Sequence, residues 1–174
     1  MNSVNTSQNT LTNSLTTAQR LVRAIKVASG EFSLILACCD SVTKQQEILK
    51  LLKEFSTVAI QAIKLSPTDE TLYTTITNSI SVCHPEGLIV YGLESVVAIN
   101  QLLISTNLMR DEFRKNLHFP LVLWVNNEIL CKLVWLAPDF KNWASTTIRV
   151  AVPEDTLIQN QCPNSLTKFN TYSK

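Results

Sequence analysis

The sequence predicts an α/β fold, a three-layer sandwich built on a mostly parallel five-stranded sheet. Three observations carry this. Residues 32–39, FSLILACC, form a near-continuous apolar run of strand length, as expected of a strand covered on both faces. Four further strand-like runs follow, separated by segments whose apolar residues recur at helical spacing. No Asn-Gly or Asp-Gly dipeptide joins two strands, so the connections are crossovers and not hairpins. In such a sheet the ligand crevice lies at the carboxyl ends of the strands.

Each element has a local reason. In AQRLVRAIKVA, Leu21, Ala24, Ile25 and Ala28 fall on one helical face, Gly30 stops the helix, and Arg20, Arg23 and Lys26 lie on its solvated side. Residues 42–55 form the helix after the first strand, with Ile48, Leu49, Leu52 and Phe55 turned inward and Lys44, Gln45, Lys50 and Lys53 turned outward. The second strand is residues 57–63. Ser66 as N-cap, Pro67 in the first turn, and Asp69 and Glu70 at the positive end of the dipole predict a helix running to about Val82, with Leu72, Tyr73, Ile76 and Ile80 inward. Pro85-Glu86-Gly87 breaks the chain before the third strand, LIVYG, and one long helix is expected over 95–115. The fourth strand is PLVLWV, residues 120–125, followed by the helix EILCKLVWLA, which Pro138 ends. After a turn at 139–143, TTIRVAV is the last strand.

Composition narrows the function classes. A chain of 174 residues with 45% hydrophobic and 17% charged residues suits one globular domain, and a net charge of +1 offers no global field for nucleic acid or an anionic membrane. No apolar stretch approaches the roughly 18 residues that span a bilayer. The first 17 residues have neither a basic start nor an apolar core, so they predict a polar, disordered lead-in and no secretory signal. The five cysteines Cys38, Cys39, Cys83, Cys131 and Cys162 contain no C-x-x-C pair, which leaves no metal site and favours reduced, packed thiols in a cytoplasmic setting, Cys162 being the exposed exception.

The first strand leads into CCDSVTKQ, where a phosphate-binding loop of the form G-x-x-x-x-G-K-[ST] would stand. Cys38 and Thr43 take the places of the two glycines, Lys44 that of the lysine, and Gln45 that of the hydroxyl that binds magnesium. The three glycines, Gly30, Gly87 and Gly92, leave residues 31–86 without one, so no glycine-rich loop can wrap a phosphate there. Asp40 or Ser41 caps the following helix, and Asp40 adds a charge that repels phosphate. In the third strand Gly92 replaces the metal-holding Asp of a Walker B strand, leaving Glu94 alone. Asn126, past the fourth strand, stands where a polar sensor is often found.

The stretch Asn107–Val150 reads as N-x-x-R-D, then PLVLWV, then L-A-P-D-F-x-x-W and a short strand. With the strand-C-D-S turn and the G-L-E strand upstream, it resembles the inactive branch of the STAND NTPases, signal-transduction ATPases with numerous domains, found in large bacterial and notably cyanobacterial signalling proteins. The resemblance covers residues 18–151 and implies a degenerate P-loop NTPase-like domain, assembly and signalling in prokaryotic conflict or stress responses, and no ATP turnover. Family members usually join this domain to repeats or effector domains, so 152–174 is expected to be a tail or truncated linker.

The matched residues also have a packing role. Trp124, Trp135, Phe140 and Trp143 would lock the last helix and turn against the sheet, Asp139 would cap that turn, and Arg110, Asp111 and Arg114 would be exposed helix charges. His84 and His118 accompany no recognised nucleophile motif, and Cys83 or Cys131 would need a distant histidine. The expectation is a non-catalytic signalling or adaptor module with protein partners and no cofactor. The alternative is a degenerate sensor that binds ADP or ATP through Lys44, Glu94 and Asn126 without splitting it.

Overall fold

The computed structural model describes residues 3–80 and 85–150, with side chains from Thr12 onward. The strands are β1 (Ser33–Cys38), β2 (Ile60–Lys64), β3 (Gly87–Tyr91), β4 (Pro120–Val125) and β5 (Ala144–Arg149). They form one sheet in the order β2-β3-β4-β1-β5, with every pairing parallel. The helices are α1 (Ser3–Val27), α2 (Val42–Phe55), α3 (Leu72–Ser79), α4 (Ile99–Leu108), α5 (Arg110–Asn116), α6 (Asn127–Leu136) and α7 (Pro138–Asn142), with a turn of 3-10 helix at Leu93–Ser95. The expected three-layer α/β sandwich with a five-stranded parallel sheet is what the chain forms.

Strand alternation divides the core into two layers. On one face Leu34, Leu36 and Cys38 of β1 and Leu121, Leu123 and Val125 of β4 pack with residues of α3, α4, α5, α6 and α7. On the other, Ile35 and Ala37 of β1 and Val122 and Trp124 of β4 pack against Leu21 and Ile25 of α1 and Ile48 and Leu52 of α2. Both faces of β1 and β4 are therefore covered, which accounts for their unbroken apolar runs.

Several boundaries differ from expectation. Helix α1 begins at Ser3, inside the stretch expected to be a disordered lead-in, and Ser14, Thr17 and Ala18 are buried. The reason is hydrogen bonding: Thr17 Oγ1 donates to Asn13 O at 2.9 Å, and Ser14 Oγ accepts from Lys44 Nζ at 3.1 Å, so these small hydroxyls enter the interface with α2 already satisfied. On α2 the inward stripe is Gln45, Ile48 and Leu52, whereas Phe55 is 68% exposed. Ser66 does not cap α3. Ser66 N donates to Asp69 Oδ2 at 2.7 Å in a separate turn, and α3 starts after Thr71. The single helix expected over 95–115 is two, α4 and α5, meeting at Met109. Residues 139–143 are not a plain turn. Pro138 opens α7 at its first position, where a missing N–H costs nothing. Helix α3 ends at Ser79 with Ile80 extended as its C-cap, short of the expected Val82, while Cys83-His84, Cys162 and the tail over 152–174 lie outside the described residues.

Candidate functional site

Helix α2, which follows β1, packs on one face of the sheet, and α6, which follows the adjacent β4, packs on the other. Adjacent parallel strands whose helices leave on opposite faces open a crevice at their carboxyl ends, the place where α/β sheets bind ligands. The crevice here is lined by Cys39, Asp40, Ser41, Val42, Gln45, Glu94, Trp124 and Asn126, and its volume is about 30 Å³. That is the scale of one solvent molecule, while sites for drug-sized ligands run to roughly 300–1,000 Å³.

The two loops that flank the crevice are tied together. Asp40 Oδ1 accepts the backbone N–H of Asn127 at 2.8 Å, and Asp40 Oδ2 accepts from the Asn127 side-chain amide. A carboxylate of the protein itself thus sits on the first amide of α6, where the helix dipole favours an anion. Asn126 is the N-cap of α6, its Oδ1 accepting from Ile129 N at 2.8 Å, and Ser41 caps α2 by accepting from Lys44 N at 3.3 Å. Of the two residues expected to cap α2, Ser41 does so and Asp40 instead reaches across to α6.

The sequence-predicted residues separate. Glu94 and Asn126 line the crevice, Glu94 as an exposed residue of the 3-10 turn after β3. Lys44 turns away from it. Its Nζ donates to Glu47 Oε2 at 2.9 Å and to Ser14 Oγ at 3.1 Å, with only 12% of the side chain exposed, so it stitches α2 to α1. Asn127 was not singled out from sequence, and Gln45, expected to face outward at the magnesium-hydroxyl position, is buried. Asn127 stands beside the expected sensor residue, and only the fold brings it to Asp40. Gly92 adopts φ +89°, and a Cβ there would lie 3.4 Å from the Leu65 backbone, so it carries a backbone requirement in addition to lacking a carboxylate.

Burial raises the Cys38 thiol, with Arg149 opposing and Asp40 and Cys39 adding to the rise. Burial likewise raises Cys39, against its bond to the Ser41 backbone and with Asp40 adding to the rise. Both thiols stay protonated at neutral pH and are poor nucleophiles. Cys38 and Cys39 are free, whereas Cys131 is disulfide-bonded, so the expectation of reduced thiols holds for the first two only. Among the described residues no group of three His, Cys, Asp or Glu side chains is placed to hold a metal, and no helix is long and apolar enough to cross a membrane.

The residues of the N-x-x-R-D and P-D-F-x-x-W segments converge away from the crevice. Asn107 Oδ1 accepts from Phe140 N at 3.0 Å, and Asn107 Nδ2 donates to Asp139 Oδ2 at 3.4 Å. Arg110 Nη1 donates to Asn107 O at 2.9 Å and lies 3.7 Å from Asp139 Oδ2. Asp139 therefore does not cap α7, and Arg110 is not an isolated surface charge: together they fasten the α4–α5 junction to α7. Arg114 stacks 5.9 Å over the Trp143 ring, Phe140 is fully buried, and Trp135, expected to help lock this region, is 67% exposed. Asn107→Ala is expected to leave the Phe140 amide without its acceptor and to cost about 1–3 kcal/mol, measurable by urea denaturation.

No family profile matches the chain, and no curated protein matches it. Among solved structures it is similar to the Aeropyrum pernix ORC2 protein in its ADPNP–ADP complexes, with 11% identity and a TM-score of 0.46 over 79% of this chain and 46% of that one. The chain thus spans less than half the length of that protein.

Proposed function

We propose that this chain is a non-catalytic, P-loop-like signalling or adaptor module, acting through contacts with proteins or with other domains of the same polypeptide. The observation that carries the reading is Asp40 at the amino end of α6, closing the crevice with the protein's own carboxylate. The turn of Lys44 toward Ser14 and Glu47 supports it, since a lysine in register with a phosphate-binding position is committed to holding two helices together. So does the absence of any glycine between residues 31 and 86. The resemblance to inactive STAND domains agrees with this role and supplies its prokaryotic signalling or defence setting.

A second reading, a sensor that binds ADP or ATP without hydrolysis, draws on Glu94 and Asn126 sharing the crevice. Calorimetry and thermal unfolding with ATP, ADP and magnesium separate the two. The expected result is neither heat nor stabilisation and no phosphate release, with Lys44→Ala lowering stability by about 1 kcal/mol through its lost contacts. Saturable nucleotide binding abolished by Lys44→Ala would establish the sensor instead, and phosphate release above background would overturn both readings.

A further inference from the structure

Far from the crevice, α1 and α2 leave a groove of about 770 Å³ between them. On its α1 wall the lining residues Thr12, Leu15, Gln19, Val22 and Lys26 recur at intervals of three and four residues. With Ala18, Arg23 and Val27 they make one face of the helix, which borders the stripe of Ser14, Ala18, Leu21 and Ile25 that α1 buries against the rest of the fold and shares Ala18 with it. From Thr12 to Lys26 the lining face runs about 21 Å, four turns of helix. The opposite wall is Leu51, Leu52 and Phe55 of α2. Leu15 is 41% exposed, Phe55 68% and Val27, at the groove's end, 82%. Among the described residues nothing covers these side chains.

Charge gives the groove a sign. Among the described residues its charged lining side chains are Arg23 and Lys26, both exposed, and none is acidic. Beyond the α2 wall Lys50 and Lys53 line a neighbouring groove, with Glu54 as the nearest acid on that helix, 3.8 Å from Lys50. A second copy docking by this same face would bring the same basic stripe and no counter-charge. A lipid surface is flat where this surface is concave and has helical spacing.

We infer that the α1–α2 groove is a docking site for an amphipathic helix that presents leucine-like side chains at its own a and d positions and Glu or Asp at the flanking positions. The inference rests on the reading of the chain as a contact module and names the surface by which it makes contact. A trough about 21 Å long between two helices, with the exposed apolar side chains Leu15, Val27 and Phe55, suits a helix as occupant, and Arg23 with Lys26 selects an acidic one.

The test uses the full chain and a labelled helical peptide of about 18 residues, Leu at a and d and Glu at e and g, beside a counterpart with Lys at e and g. Fluorescence anisotropy should show the acidic peptide bound about tenfold or more tighter than the basic one, with the difference shrinking as salt rises. Phe55→Ser, at an exposed position, should weaken it by about tenfold with unchanged circular dichroism. The double variant Arg23→Glu/Lys26→Glu should invert the preference between the two peptides. Equal affinity for both peptides, no binding, binding only to phosphatidylserine vesicles, or concentration-dependent self-association blocked by Phe55→Ser would each overturn the proposal. A chain that binds no peptide yet releases no phosphate from ATP refutes the groove alone, whereas phosphate release refutes the contact-module reading independently.

Discussion

Trp124→Ala is expected to destabilise the fold by about 3–5 kcal/mol, whereas Trp135→Ala should change stability by no more than about 0.5 kcal/mol. The two tryptophans lie in adjacent elements and read alike in the sequence. Trp124 is 1% exposed, at the β4 position facing α2, and packs in the layer formed by Ile35, Ala37, Ile48 and Val122. Its removal opens a cavity at the centre of the sheet, and a domain whose total stability is roughly 5–15 kcal/mol retains little margin after such a loss. Trp135 is 67% exposed on α6 and has few packing contacts to lose. Trp124 Nε1 is also buried with no hydrogen-bond partner among the described residues. Trp124→Phe keeps an aromatic ring, though a smaller one, and removes that unpaired donor, so it should cost less than Trp124→Ala. Urea midpoints and m-values for the three variants decide the matter, and equal losses for Trp124→Ala and Trp135→Ala would contradict the packing described here.

The strands were legible wherever burial on two faces removed every alternative. PLVLWV coincides with β4 residue for residue because each of its six side chains is buried, and β1 lies within the expected run for the same reason. Edge strand β2 was less so. Its expected span of 57–63 shifts to Ile60–Lys64, since an edge strand with one well-covered side chain has a weaker pattern. Helix α1 was hidden by composition, because a hydroxyl that bonds within its own helix or to Lys44 behaves as buried surface while counting as polar in a sequence. The break at Met109 has no Gly or Pro to announce it. It coincides with the convergence of Asn107 and Arg110 on Asp139, 29 residues after Arg110 in the chain. Of the three positions named from sequence register, Glu94 and Asn126 line the crevice and Lys44 does not, because its direction depends on what α1 offers it. Asp40 was expected as one of two candidates to cap α2, but Ser41 caps it and Asp40 reaches the first amide of α6, because the sheet order sets β4 beside β1.

Phe113→Ala is the second large effect, again expected at about 3–5 kcal/mol. Phe113 is completely buried in α5, and its ring meets Phe140 at 5.1 Å, Tyr73 at 5.3 Å and Phe32 at 6.4 Å between centroids. These four rings come from α5, α7, α3 and the segment entering β1, so one side chain joins elements far apart in sequence. The Tyr73 contact is edge-on, the arrangement that ring quadrupoles favour, and Tyr73 Oη accepts from Asn116 Nδ2 at 2.8 Å, which fixes the tyrosine against the same helix. A double-mutant cycle of Phe113→Ala with Phe140→Ala should reveal a coupling of about 0.5–1.5 kcal/mol beyond the two separate losses. Because Phe140 also donates its amide to Asn107, the same cycle run in an Asn107→Ala background should give a smaller coupling: without its backbone tether α7 holds the Phe140 ring less firmly. Strict additivity of Phe113 and Phe140 would show that the two rings do not act as one unit, and would separate α7 from the packing of α5.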